Sequence, residues 1–401
     1  MKESKRRSAC KSAVIRYALL AGLPVVASTG VRAQTPTLLS ANARYPRIRL
    51  LPNGELIATV LASPRDYSVK VYSSTDNGAS FTQVGSIDNP EFLPKKTSSP
   101  SLFRVPQTAG SLTAGTLILG LVVDTSGCDA CRAKVNIYKS IDKGRSWSFV
   151  SVAVRSANSK GLWEPDFSMA ADGAIVMHYA DESSSCCSQK LVRRRTYDGI
   201  HWIDQSNTVA LSTNRGSGNY PLRPGMPVVS KLSDGRYLMT YEVCGQPEAI
   251  NCEVRYKTSA DGWDYGATNA VGAKMRDSLG RYFTGTPVNT VLPDGALLWV
   301  GHFLRKANGD FTGLNGKVIL KSANGSPEGP WTTIPAPVTI SDLRKPSCEG
   351  FSPGLQSVAV GVTLIELTSR KNAAGHCDVY FGTGPTDQDV GEPGRRPTGS
   401  E

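Results

Sequence analysis

A glycine that turns the chain into an apolar strand recurs six times along the 401 residues, at Gly54, Gly115, Gly173, Gly235, Gly295 and Gly361, at intervals of 61, 58, 62, 60 and 66. In four of the six it follows Asn53, Asp172, Asp234 or Asp294, a pairing that accepts the positive φ of a tight hairpin. A second turn follows about 25–30 residues after each of the first five glycines. Two hairpins per repeat make four antiparallel strands, one blade of a propeller, and six blades close a ring with protected edges. The expected fold is therefore all-β, a six-bladed β-propeller with four antiparallel strands per blade over residues 35–384. The sixth repeat shows only three strands, so residues 37–40 are expected to supply its fourth and close the ring. Gly 39 and Pro 25, without a long helical apolar stripe, agree with this class.

The two ends read differently. Residues 1–33 open on Lys2, Lys5, Arg6, Arg7, Lys11 and Arg16, continue through an apolar run and end on Val31, Arg32 and Ala33, the pattern of a secretory signal. Gly22 and Pro24 interrupt the run, which falls short of the roughly 20 apolar residues of a membrane span. Export places the mature protein outside the cell or in the periplasm. The segment carries much of the net charge of +11, leaving about +5 on scattered residues. The one basic run, Arg193, Arg194 and Arg195, reads as a solvated strand edge, so a nucleic-acid partner is not expected. Residues 385–401 are rich in Pro, Gly and charge and read as a disordered tail.

Eight of the nine cysteines lie beyond the signal, an even number that suits an oxidising compartment. Cys244 and Cys252 bracket a short loop, and Cys348 and Cys377 flank one hairpin, which makes two pairings expected. Cys128, Cys131, Cys186 and Cys187 leave their connectivity open. A zinc site needs four ligands to converge from separate blades and is disfavoured, so neither a metal nor a cofactor is expected.

Two turns have the form Ser74-x-Asp76-x-Gly78-x-x-Phe81 and Ser140-x-Asp142-x-Gly144-x-x-Trp147. They resemble the Asp box of sialidase-like propellers, in which the aspartate binds local backbone N–H groups. Such aspartates are structural. The chemistry belongs on the opposite face, where inner strands start and second strands end. Two carboxylates fall there in consecutive blades, Glu164 at the start of an inner strand and Glu242 at the end of a second strand. Paired carboxyl groups are what glycoside cleavage requires, one protonating the departing oxygen and the other attacking the anomeric carbon or activating water.

The stretch from Tyr45, Pro46 and Arg47 to Gly54, the Trp163-Glu164-Pro165 triplet, Ser188-Gln189, and Arg223-Pro224-Gly225-Met226 with Tyr241-Glu242 resemble the exo-arabinanases of glycoside hydrolase family 93. The resemblance implies a retaining exo-hydrolase of α-1,5-linked arabinan. By that likeness Glu164 is the nucleophile and Glu242 the acid/base, with the reverse assignment open. Arg47, Asp66, Trp163, Asp181, Arg223 and Arg281 are taken as substrate-binding residues. The implied partner is an oligo- or polysaccharide bound by a monomer, with no membrane attachment once the signal is removed. An exo-sialidase is the first alternative, since Arg47 or Arg49, Arg223 and Arg281 lie near inner-strand starts and Asp66 lies on a mouth-side loop. Against it, blade 1 reads Pro46-Arg47-Ile48, and the sixth inner strand opens at Glu349-Gly350-Phe351 without a tyrosine. A non-catalytic glycan-binding propeller is the second alternative. It has no need of a carboxyl pair. No Gly-x-Ser-x-Gly elbow is present, and His178, His201, His302 and His376 are spread over separate strands and turns.

Overall fold

The computed structural model describes residues 35–62, 67–89, 96–124, 132–212, 221–358 and 361–390. The signal-like segment, Asp66, Cys128 and Cys131 lie outside these residues. Among the described residues no helix is long and apolar enough to cross a membrane.

The chain folds into six blades of antiparallel sheet. Blade 1 is β2 (Ala43–Leu50), β3 (Leu56–Ala62), β4 (Val69–Ser74) and β5 (Thr82–Ile87). Blade 2 is β6 (Lys96–Arg104), β7 (Leu117–Asp124), β8 (Lys134–Ser140) and β9 (Ser148–Arg155). Blade 3 is β10 (Leu162–Met169), β11 (Ile175–Asp181), β12 (Lys190–Thr196) and β13 (Ile203–Val209). Blade 6 is β24 (Gly354–Val358), β25 (Thr363–Lys371) and β26 (Cys377–Pro385), with β1 (Thr37–Ser40) paired antiparallel on the outer side of β26. Each of the six repeat glycines sits between the first and second strands of its blade with φ between 82° and 90°.

Blades 4 and 5 depart from simple repetition. Blade 4 has β14 (Arg223–Lys231), β15 (Tyr237–Cys244) and β16 (Glu253–Ser259), but its outer strand shrinks to β17 (Ala273–Lys274). At the mouth end, Glu253 of β16 pairs instead with Thr284 of β18 (Tyr282–Thr284). That strand pairs in turn with β21 (Phe303–Arg305). Both lead, across short breaks, into blade 5, which is β19 (Val288–Val291), β20 (Leu297–Val300), β22 (Val318–Ser322) and β23 (Trp331–Pro335). The mouth end of blade 5 thus curls onto blade 4.

The cores lie between neighbouring sheets. Ile118, Val122 and Val135 of blade 2 pack with Phe167, Met177 and Val192 of blade 3, and Leu238 and Val254 of blade 4 with Trp299 and Leu320 of blade 5. Burial of such side chains, about 1.5–3 kcal/mol each, holds the ring at every seam. The turns at Asp76 and Asp142 fasten the far face. Asp76 Oδ1 accepts from Ser80 N at 3.0 Å and Ser74 Oγ at 2.7 Å, and Ser74 Oγ accepts from Gly78 N at 2.9 Å. Asp142 repeats the pattern. These hydrogen bonds, set against modest burial, bring both carboxyl groups down to about 2.

A second sixfold feature shapes the mouth. In every blade the inner strand, or the turn leading into or interrupting it, carries a residue at positive φ followed by proline: Tyr45, Ser99, Glu164, Met226, Thr286 and Ser352, at φ of 58°, 51°, 58°, 54°, 40° and 49°. In blades 1 to 4 the strand register slips across this residue, a β-bulge. The proline has no N–H to offer the ladder, and a bulge is where a sheet tolerates that. The bulge in turn re-aims the preceding side chain. Positive φ is costly for non-glycine residues and gathers at functional sites. Backbone donors of one blade reach side chains of the blade before: Met226 N to Glu164 Oε2 at 2.6 Å, Thr286 N to Glu242 Oε2 at 2.7 Å, and Ser352 N to Thr286 Oγ1 at 3.2 Å.

Two expectations need amendment, and one pairing left open is decided. The arginines 193–195 are not a solvated edge. They lie on β12, which is paired on both sides. Arg193 is buried with a bond to Asn207 O, and Arg194 reaches Ala153 O and Trp202 O. The chain also stays ordered past Pro385, since Thr386 Oγ1 bonds Gly361 O and Val390 N bonds Thr333 O. Residues beyond 390 lie outside the described part. Finally, Cys186 and Cys187 are bonded to each other, beside the two expected bridges Cys244–Cys252 and Cys348–Cys377.

Candidate active site

Glu164 stands on the bulge of β10 and Glu242 near the end of β15, so adjacent blades deliver them to the same rim. Gly225 lies directly beneath. A Cβ on this glycine would stand 3.2 Å from Glu164 Oε2, 3.6 Å from Glu242 Oε1 and 2.8 Å from Gln189 Nε2. The two carboxyl groups are therefore no farther apart than these two legs together, which only just reaches the shortest spacing of inverting pairs, about 6.5 Å. Each accepts one backbone N–H, and both are half-buried. Burial pushes Glu164 above the ordinary carboxylate range, and the negative charge of Glu242 pushes it further. Burial likewise raises Glu242, against the pull of the Thr286 N–H and the Arg223 cation. Two carboxyls so placed titrate as a pair, the charge of one opposing ionisation of the other.

Arg223 organises the wall beside them. Its guanidinium donates to Glu182 Oε1 at 2.5 Å, Gln189 Oε1 at 2.8 Å and Ser188 Oγ at 3.0 Å. Gln189 Nε2 donates to Pro224 O at 2.9 Å. Arg223, Glu182 and Gln189, together with Trp163, Glu164, Glu242 and Cys244, line a pocket of about 340 Å³. A second pocket of about 280 Å³ adjoins it and shares Glu242. Its walls include Thr286, His302, Phe303, Phe311 and Phe351. The mouth thus offers a cleft with a carboxyl pair at its middle, charged hydrogen bonders on one side and aromatic rings on the other.

Of the residues read from sequence, Glu164, Glu242, Trp163 and Arg223 come together here. Arg47 lies lower, in the central tunnel, with its guanidinium on Ser352 Oγ and Pro46 O. Asp181 is buried and caps its own loop, accepting from Ser183 N at 2.7 Å, and its neighbour Glu182 faces the pocket instead. Arg281 is buried in an ion pair with Asp277 at 2.5 Å and, among the described residues, lines neither mouth pocket. Arg47, Arg223 and Arg281 therefore do not converge into the carboxylate fork a sialidase needs. Glu182, Thr286 and the aromatic wall were not anticipated. The recurrence of X-Pro once per blade was the available signal for the rim positions, Thr286 among them.

Neither a family model nor a curated protein sequence matches the chain. Solved structures do. The chain is similar to the α-L-arabinanase of Penicillium chrysogenum complexed with arabinobiose, at 22% identity over 90% of this chain and 100% of that one, with a TM-score of 0.74. It is similar to the GH93 α-L-arabinofuranosidase of Fusarium graminearum with arabinobiose, at 20% identity over 86% and 93%, with a TM-score of 0.69. The sialidase of Trypanosoma rangeli in complex with DANA gives 11% identity over 88% of this chain and 58% of that one, with a TM-score of 0.53. Likeness at these identities establishes the six-bladed fold.

Proposed function

We propose that the protein is an exported glycoside hydrolase that cleaves α-1,5-linked arabinan with retention. The observation that carries this reading is the placement of Glu164 and Glu242 around the single space above Gly225. Two raised carboxyls held within the reach of these two legs leave room for a double displacement and exclude most of the wider range that admits a water. The arabinan assignment draws on the two structural neighbours that hold arabinobiose. The signal-like segment and the disulfides support export.

Glu242 borders both pockets, whereas Glu164 borders only the one with Arg223. A proton donor to a glycosidic oxygen must stand between two sugars, and a nucleophile beneath one. This supports Glu242 as acid/base and Glu164 as nucleophile. In the first step the Glu242 O–H gives its proton to the bridging oxygen as the C–O bond breaks, and Glu164 forms an ester with the anomeric carbon. In the second, ionised Glu242 takes a proton from water, whose oxygen displaces Glu164. Arg223 holds Glu182 and Gln189 as hydrogen bonders toward the sugar in the first pocket.

The test is to incubate the protein lacking residues 1–33 with linear arabinan, aryl arabinofuranosides and sialyl substrates, following the first-formed anomer by NMR. Release of α-configured arabinose products is expected, with Glu164→Gln and Glu242→Gln each slower by at least about 100-fold on arabinan. A β first product would overturn retention. Cleavage of none of the substrates would overturn the enzyme reading in favour of glycan binding.

A further inference from the structure

The Cys244–Cys252 bridge lies against the carboxyl pair. Both sulfurs and a Glu242 carboxylate oxygen lie within 4.8 Å of one another, and all three residues are partly exposed. Cys244 lines the pocket that holds Glu164, Cys252 lines the aromatic pocket, and Glu242 lines both. The disulfide is therefore the ridge between the two compartments. We infer that this bridge is a specificity-determining element that seats the leaving-group sugar, guiding it from the acid/base onto an apolar subsite built of Phe303, Phe311 and Phe351. The inference rests on the catalytic reading above and adds the substrate side of the same site.

Three observations bear on it. The aromatic wall is continuous: His302 stacks on Phe303 at 4.0 Å, Phe303 meets Phe311 at 5.6 Å, and Phe351 stands edge-on to His302 at 5.8 Å. Exposed Arg344 at its edge can serve a sugar hydroxyl. The rings offer a surface for the C–H face of a sugar, and Glu248, Asn251 and Arg305 beside them offer partners to its hydroxyls, while sulfur at the threshold is polarisable and makes no demand for strong hydrogen bonds. The bridge also fixes the floor of the ridge. Cys252, at φ 58°, accepts from Gly285 N at 2.8 Å through its carbonyl, and the next residue, Thr286, gives its N–H to Glu242. On the other side Gly245 N and Gln246 N both bond Asn251 Oδ1, at 3.0 and 3.2 Å, closing the loop that the disulfide ties. The bridge thus sets the width of the cleft.

A cleft divided in this way takes an oligosaccharide with a sugar on each side of the scissile bond. The experiment compares wild type with the Cys244→Ala/Cys252→Ala double variant on two substrates, α-L-arabinofuranosyl fluoride and a linear arabinan trisaccharide. Fluoride needs no proton donor and leaves the aromatic pocket empty. The double variant is expected to keep kcat/KM on the fluoride within about threefold and to raise KM on the trisaccharide by about tenfold or more, the scale of one lost apolar contact set. Phe311→Ala should show the same split. Cys244→Val with Cys252→Ala, which restores an apolar ridge without the bond, should recover much of the trisaccharide KM, and it carries the test if the alanine pair does not fold. Equal losses on both substrates, or none, overturn the inference. If wild type cleaves neither substrate, the catalytic reading fails by itself, and the bridge is judged by titrating trisaccharide binding. Equal affinity of wild type and variant then overturns it.

Discussion

Replacing Glu242 by Gln separates the roles of the two carboxyls through the pH profile. The amide keeps an oxygen for the Thr286 N–H, 2.7 Å away in the native site, while removing the titrating proton. Two charges no farther apart than the 3.2 and 3.6 Å legs at Gly225 together allow, in an environment of effective dielectric about 20, repel by at least about 2.4 kcal/mol, or about 2 pH units. Wild-type kcat/KM on a substrate with a poor leaving group should therefore follow a bell whose limbs lie at least about 2 units apart. The acid limb is the first ionisation of the coupled pair, and a neutral Gln leaves Glu164 to titrate alone, free of the Glu242 charge that raises it in the native site. The Glu242→Gln variant should accordingly lose the alkaline limb and keep a single ionisation. With a 4-nitrophenyl leaving group the first step hardly needs an acid. The loss there should be well below the 10²- to 10⁴-fold loss, about 2.7–5.4 kcal/mol, expected on arabinan. Stopped-flow or discontinuous assays from pH 4 to 9 on both substrates decide the matter. A Glu242→Gln variant that retains the alkaline limb refutes the assignment.

Gly225→Ala places a methyl 2.8 Å from Gln189 Nε2 and 3.2 Å from Glu164 Oε2. It should lower kcat/KM by at least about tenfold, through displacement of positioned groups, with little change in melting temperature by scanning calorimetry. Arg223→Gln removes a cation that holds down both catalytic carboxyls, so both limbs of the wild-type bell should move to higher pH. A shift to lower pH would contradict the electrostatics. Glu366 is buried on β25 with Val338 N at 3.0 Å, and burial raises it from 4.5 to about 7. Below about 4.5 folded and unfolded chains both hold this proton. From there to about 7 the unfolded chain ionises first, so stability falls as pH rises, by about 3 kcal/mol in all. Glu366→Gln should flatten that fall, as urea titrations at pH 4.5 and 8 will report.

The blades were legible because a hairpin turn imposes its chemistry locally: Gly54, Gly173, Gly235 and Gly295 follow Asn or Asp, and each has the positive φ this pair announces. The carboxyl pair was legible because strand direction alone sends Glu164 and Glu242 to one rim. What escaped depended on register and on contacts between blades. Asp181 and Glu182 are consecutive, and only the observed end of β11 shows which of them turns to the pocket. The prolines of the inner strands read as interruptions, since a ladder has no use for a residue without an N–H. The bulges that accommodate them in blades 1 to 4 appear only once the strands are aligned. The curl of blade 5 onto β16 rests on one pairing, Glu253 with Thr284, between short strands whose alternation is too brief to read.

The ring of bulges separates where a group can be placed from what that group is. Rotation by one blade carries each X-Pro position onto the next, so the backbone provides six nearly equivalent sockets around one axis. A carboxylate occupies only Glu164, while Tyr45, Ser99, Met226, Thr286 and Ser352 fill the others. Lopsided chemistry is thus written by side chains on a rotationally degenerate frame. Moving an acid to a neighbouring socket, as in Ser99→Glu or Thr286→Glu, is then a change of address rather than of architecture, and the orientation of the cleft across the mouth becomes a variable that two substitutions can turn.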